Sequence, residues 1–116
     1  MTIKEVEEKT GLARSNIRFY EKEKLISPDR NETNGYREYT EENVNDIKKI
    51  AYLRTLGISV QNIQKIMNHE IVFMDAICEQ EKILNEQISE LNRAKKICRQ
   101  MIADGEINYD SLDIER

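Results

Sequence analysis

From Thr10 to Tyr39 the chain reads T-G-L-A-R-S-N-I-R-F-Y-E-K-E-K-L-I-S-P-D-R-N-E-T-N-G-Y-R-E-Y. The stretch holds Gly11 and Gly35, the only proline, Pro28, and three of the five tyrosines. Residues 13–22 predict a short helix. At about 100° per residue Ala13, Ile17 and Tyr20 share one side, and Arg14, Ser15, Arg18 and Lys22 take the other. No acid lies between Gly11 and Tyr20, although 34% of the chain is charged. Beyond it, Leu25-Ile26 is a brief apolar pair, and Ser27-Pro28-Asp29-Arg30 turns the chain. Asn34-Gly35 predicts a two-residue hairpin turn between a weak, polar first strand at 29–33 and a second strand at 36–39. A basic helix followed by a small hairpin, with Arg30 and Arg37 on its two arms, is suited to a phosphate backbone or a minor groove.

Working outward, Thr2 and Glu5 have capping-box spacing and predict a helix over 3–9 that Gly11 ends. Two short helices around a glycine turn make a helix-turn-helix, whose second helix enters a major groove. Downstream, Thr40 caps a third helix with Val44, Ile47, Ile50, Ala51 and Leu53 as its apolar stripe. Leu56-Gly57 ends that helix, and Ser59 caps a fourth carrying Ile63, Ile66 and Met67. From about residue 72 to 103 there is no glycine or proline, and Ile77, Leu84, Leu91 and Cys98 recur every seven residues. Ile88, Ala94, Met101 and Ile102 widen the seam. One helix of some 30 residues cannot bury such a stripe alone, so it is expected to pair with another chain or fold back on the head. The fold class is mainly α: a helix-turn-helix head with a small β-hairpin over 1–70, a dimerisation helix over 71–104 and an acidic tail over 105–116. In that tail Ile107, Tyr109, Leu112 and Ile114 suit a short packed turn or a frayed end.

Net charge is −4, and its distribution matters more than its sum. Residues 1–70 carry equal numbers of basic and acidic side chains, so the whole excess lies beyond residue 70. Screening over about 8–10 Å makes local clustering decisive for phosphate binding. No apolar run reaches the roughly 20 residues of a membrane span, and no secretory pattern opens the chain, so the cytoplasm is expected. Cys78 and Cys98 fit neither a zinc ribbon nor a C-x-x-C pair, and about 30 Å of helix separates them within one chain. His69 is the only histidine and is assigned no role. Enzymatic activity is not expected, because catalytic triads, paired pocket carboxylates and a phosphate loop are missing.

The run R-x-x-x-R-F-Y-E-x-x-x-L-I-x-P-x-R from Arg14, then N-G-Y-R-x-Y from Asn34, then L-x-x-L-G-I-S from Leu53, resembles the winged helix-turn-helix of the MerR family of bacterial transcription regulators. The resemblance spans residues 2–67. It implies a homodimer joined by an antiparallel coiled coil whose ends dock on the partner's head. It also implies a bacterial, nucleoid-associated protein acting on palindromic promoter DNA and, through it, indirectly on RNA polymerase. Such regulators bend and untwist promoters whose −35 and −10 elements lie too far apart, a form of indirect readout. Expected DNA contacts are Arg14, Ser15, Asn16 and Arg18 on the second helix, and Arg30, Tyr36, Arg37 and Tyr39 on the wing. Tyr20 is expected chiefly in the core, with its hydroxyl near a phosphate. Arg54 and Ser59 are expected at the backbone beyond the wing. The dimer seam is expected at Ile77, Leu84, Ile88, Leu91, Ala94, Cys98, Met101 and Ile102. No cofactor or metal is assigned, because the family's paired-cysteine loop is missing, although an antiparallel dimer brings Cys78 of one chain towards Cys98 of the other. Two other readings are an architectural or recombination DNA-binding factor and a helical protein-interaction module without specific DNA binding.

Overall fold

The computed structural model describes residues 1–105. Its elements are α1 (Ile3–Thr10), α2 (Arg14–Lys22), β1 (Asp29–Arg30), β2 (Arg37–Glu38), α3 (Glu41–Thr55), α4 (Val60–Met67) and α5 (Phe73–Asp104). The expected positions Ile107, Tyr109, Leu112 and Ile114 lie outside the described residues. The chain divides into two compact units, Met1–Gln80 and the part from Glu81 onward. The head thus takes in the first turns of α5, ten residues beyond the division at residue 70.

Local side-chain chemistry sets the helix ends. The Glu5 amide donates to Thr2 Oγ1 at 3.3 Å and the Glu5 carboxylate accepts from the Thr2 amide at 3.4 Å, which completes the α1 capping box. Gly11, at φ 73°, closes that helix through its amide to Glu7 O at 2.8 Å. A second capping box opens α3, where Asn43 plays the part that Glu5 plays in α1. Ser59 Oγ accepts the Asn62 amide at 3.2 Å and opens α4. Ala13 departs from the expected pattern: it is the exposed N-cap of α2 and takes no share of the buried face.

The core lies in the first unit. Val6, Ile17, Ile47, Ile50, Leu53 and Ile63 are fully covered, and Leu25, Ile26, Ile58 and Ile66 are nearly so. The 3.6-residue spacing of Val44, Ile47, Ile50 and Leu53 turns one face of α3 inward, towards α1 and α4. Burying each such side chain contributes about 1.5–3 kcal/mol. Gln64 Nε2 donates to Glu23 O at 2.7 Å, tying α4 to the end of α2, and Gln80 Nε2 donates to Leu56 O at 2.8 Å.

The hairpin is not closed by a two-residue Asn34-Gly35 turn. Its strands pair antiparallel, Asp29 with Glu38 and Arg30 with Arg37, which leaves residues 31–36 between them. Asn31 organises this loop. Its amide donates to Tyr36 O, its carbonyl accepts from the Gly35 amide, both at 2.7 Å, and its side-chain oxygen accepts from the Thr33 amide at 2.8 Å. These bonds hold a longer loop in which Gly35 supplies the positive φ of 72°. Met1 and Tyr39 exchange both backbone hydrogen bonds, at 2.8 and 2.9 Å, and so anchor the base of the wing.

Lys24 occupies the left-handed position that ends α2, at φ 60°. The Leu25 amide reaches Tyr20 O at 2.9 Å and the Lys24 amide reaches Glu21 O at 3.0 Å, the Schellman pattern that favours glycine. Lys24→Gly is therefore expected to stabilise the head by about 1 kcal/mol, the usual cost of a side chain in this conformation. A rise in the urea midpoint at constant m-value checks it.

Candidate nucleic-acid interface

The outer face of α2 presents Arg14, Ser15, Asn16 and Arg18 to solvent, while Ile17 and Tyr20 pin its inner face to the core. Arg18 makes no ion pair among the described residues. Arg14 Nε donates to Glu7 Oε1 of α1 at 2.9 Å. On the wing, Arg37 Nε donates to Glu21 Oε1 of α2, and that contact raises the Arg37 pKa further above its ordinary value. Arg30 is exposed and unpaired among the described residues, and it faces Arg37 across the hairpin. Directly opposed like charges are unfavourable on a sheet. The Glu21 carboxylate offsets one of them.

Arg18, Tyr36, Arg37 and Tyr39 line one groove of about 480 Å³, together with Thr2 and Asn31. Tyr36 is 74% exposed there. Tyr20 lies in the core as expected, whereas Tyr39, expected on the wing surface, lies there too. They are core side chains, 7% and 2% exposed, because β2 stops at Glu38 and Tyr39 turns under the wing beside Met1. The Tyr39 hydroxyl is covered and has no hydrogen-bond partner among the described residues. Burial, then the nearby Glu21 carboxylate, raises its pKa above the ordinary 10.0. Its neutral form is the one the fold favours, so this contribution holds below pH 10.0 and is lost as pH rises through the raised value. Tyr39→Phe removes the orphaned donor and is expected to stabilise the head by about 1 kcal/mol. The gain should widen above pH 10, as thermal melts of both proteins across that range will show.

Arg54 and Ser59 meet around Ile58. Arg54 Nη1 donates to Ile58 O at 3.1 Å, and the Ser59 hydroxyl is engaged as the α4 cap. Both side chains hold the α3–α4 turn. Sequence reasoning missed Glu7 and Glu21, whose partners lie 7 and 16 residues away, and Asn31, whose role depends on the loop closing.

Along α5 no residue is fully buried. Leu84, Ile88, Leu91, Met101 and Ile102 are exposed large apolar side chains, and Ala94 and Cys98 are exposed with them. Ile77 differs from the other seam positions: it packs half-buried against the head's core, so only part of its surface remains for a partner. Cys78 and Cys98 are exposed free thiols, and no group of three His, Cys, Asp or Glu is clustered among the described residues. No described helix is long and apolar enough to cross a membrane.

A family model described as the MerR HTH family regulatory protein matches residues 1–70, over half of the chain. The chain belongs to the MerR family. Among its MerR-type relatives is the HTH-type transcriptional regulator CueR of Salmonella typhi, 35% identical over 68 residues, or 59% of this chain and 49% of that protein. The chain thus spans about half the length of the curated relatives it first matches. An uncharacterised HTH-type transcriptional regulator of Pseudomonas aeruginosa is 30% identical over 93 residues, covering 80% of this chain and 70% of that protein. A crystal structure described as a putative MerR family regulator from Listeria monocytogenes superposes with a TM-score of 0.63 at 26% identity, over 96% of this chain and 86% of that one. HiNmlR, a MerR family regulator lacking the sensor domain and crystallised bound to promoter DNA, shares the fold at a TM-score of 0.61 and 23% identity, over 97% of this chain and 96% of that one.

Proposed function

We propose that the protein is a homodimeric, sequence-specific DNA-binding transcription regulator that acts by distorting promoter DNA. One observation carries this reading: the cation-bearing outer face of α2 stands beside a wing whose Tyr36 and Arg37 share a groove with Arg18. In use, α2 enters a major groove. Arg18 and Arg14 reach base edges or phosphates, Ser15 and Asn16 add hydrogen bonds, and Arg30, Tyr36 and Arg37 meet the backbone to one side. The amides opening α4 near Ser59 bind a further phosphate, beside Arg54. Tyr20 and Tyr39 support this surface from beneath.

The uncovered apolar seam of α5 supplies the second chain. Leu84, Ile88, Leu91, Ala94, Cys98, Met101 and Ile102 pair antiparallel, and twofold symmetry makes the target palindromic. Bending and untwisting a site of 20–30 base pairs costs on the order of 1–6 kcal/mol, offset by contacts that only the bent duplex allows. RNA polymerase then feels the change through the DNA, in the cytoplasm at the nucleoid. Support comes from family membership and from the shared fold of a relative crystallised on promoter DNA.

The test is to incubate the protein with fragmented genomic DNA, recover what it holds and sequence it. Enrichment of a palindrome within a promoter spacer, with altered transcription from that promoter in vitro, is the expected result. Binding without sequence enrichment would show an interaction module instead. Enrichment and bending without a transcriptional effect would show an architectural factor.

A further inference from the structure

Two of the DNA-facing arginines are held in the same way, and the manner of holding has a consequence for binding. Arg14 and Arg37 each bond a glutamate of the preceding helix through Nε alone, Arg14 to Glu7 and Arg37 to Glu21. A guanidinium carries five N–H donors, so a bond through Nε leaves both Nη groups available. Neither arginine has another partner among the described residues. In both pairs the arginine is the outer member. Side-chain exposure is 44% for Arg14 against 31% for Glu7, and 42% for Arg37 against 20% for Glu21. The third ion pair, Lys9 with Glu41, is reversed, with the acid the more exposed at 69% against 46%. Neither Lys9 nor Glu41 lines the groove that Arg18 and Arg37 share.

From this we infer that Glu7 and Glu21 are positioning residues for DNA binding, holding Arg14 and Arg37 by Nε with their Nη groups free for the duplex. The inference rests on the proposed DNA-binding role of those arginines. Glu21 matters more of the two. The wing's strands are two residues each, too short to hold their own orientation, and its contact with Arg37 is an ion pair between α2 and β2. Recognition helix and wing therefore meet DNA as one body. Two effects of the carboxylate oppose each other. Its charge repels phosphates, but screening and its recessed position weaken that repulsion. Its hold on a flexible side chain removes an ordering cost from binding. Orientation is the larger effect.

A double-mutant cycle on the palindromic duplex enriched from genomic DNA tests this, with a scrambled duplex of equal length as the control. Glu21→Ala should weaken binding to the palindrome about fivefold, the scale of one exposed ion pair. Glu21→Gln keeps an oxygen that accepts from Nε and should retain most of the affinity. In an Arg37→Ala background, Glu21→Ala should change nothing, and thermal melts of each free protein establish that all are folded. Tighter binding by Glu21→Ala and Glu21→Gln alike would make the carboxylate a mere repulsive charge and overturn the inference. So would a loss that persists in the Arg37→Ala background, which marks a purely structural role. If Arg37→Ala alone binds as well as the unmodified protein, the DNA role of Arg37 fails first, and the positioning role of Glu21 falls with it.

Discussion

Replacing Leu91 with aspartate is expected to convert the proposed dimer to a monomer of 13.7 kDa. In the single chain Leu91 is 69% exposed, and Leu84 and Ile88 beside it are exposed too, on a helix with no buried residue along its length. Each such side chain gains about 1.5–3 kcal/mol on leaving water, and symmetry counts every seam position twice. Aspartate removes two leucines from the dimer and places two carboxylates in an apolar seam, where desolvation costs several kcal/mol unless they are paired. Both effects favour the monomer. Sedimentation equilibrium should show the unmodified protein at twice the chain mass and the variant at the chain mass. DNA affinity should fall by about 100-fold or more, because two linked heads bind far more tightly than one. An unmodified protein that sediments as a monomer would remove the coil from the proposal.

The second large effect concerns Arg18. Arg18→Ala should weaken binding to the palindrome by about 1–3 kcal/mol, while the melting temperature of the free protein stays unchanged. The side chain is exposed and has no ion pair among the described residues, so its removal leaves no orphaned group among them. It also lines the groove shared with Tyr36 and Arg37. If Arg18 meets a phosphate, affinity for every duplex falls together and the salt dependence drops by about one unit of slope. If it reads a base, the loss is confined to the palindrome. A lowered melting temperature without loss of DNA binding would make Arg18 structural and α2 something other than the recognition helix.

How much of this could be read beforehand depended on the distance between interacting residues. Thr2 with Glu5, Ser59 as the α4 cap, and the stripe of Val44, Ile47, Ile50 and Leu53 act over three or four residues, so spacing alone revealed them. The loop at 31–36 was misread because Asn34-Gly35 is a strong turn signal and Asn31 is not. In the folded wing, however, it is Asn31 that bonds the amides of Thr33 and Gly35 through its side chain and carbonyl. Tyr39 gave the pattern of a wing aromatic, yet its backbone pairing with Met1, 38 residues away, turns it into the core.

By itself the sequence determined the order of the helices, their caps, the cation-bearing face of α2 and the apolar seam of α5, because each follows from the local geometry of a 3.6-residue helix. Only the tertiary structure decided which of those groups act together. Packing α2 beside the wing brings Glu21 to Arg37 across 16 residues, seats Arg18 in the same groove and places Ile77 against the head. Such pairings depend on how buried faces close over one another, and a one-dimensional pattern of residues carries no distance between its far parts.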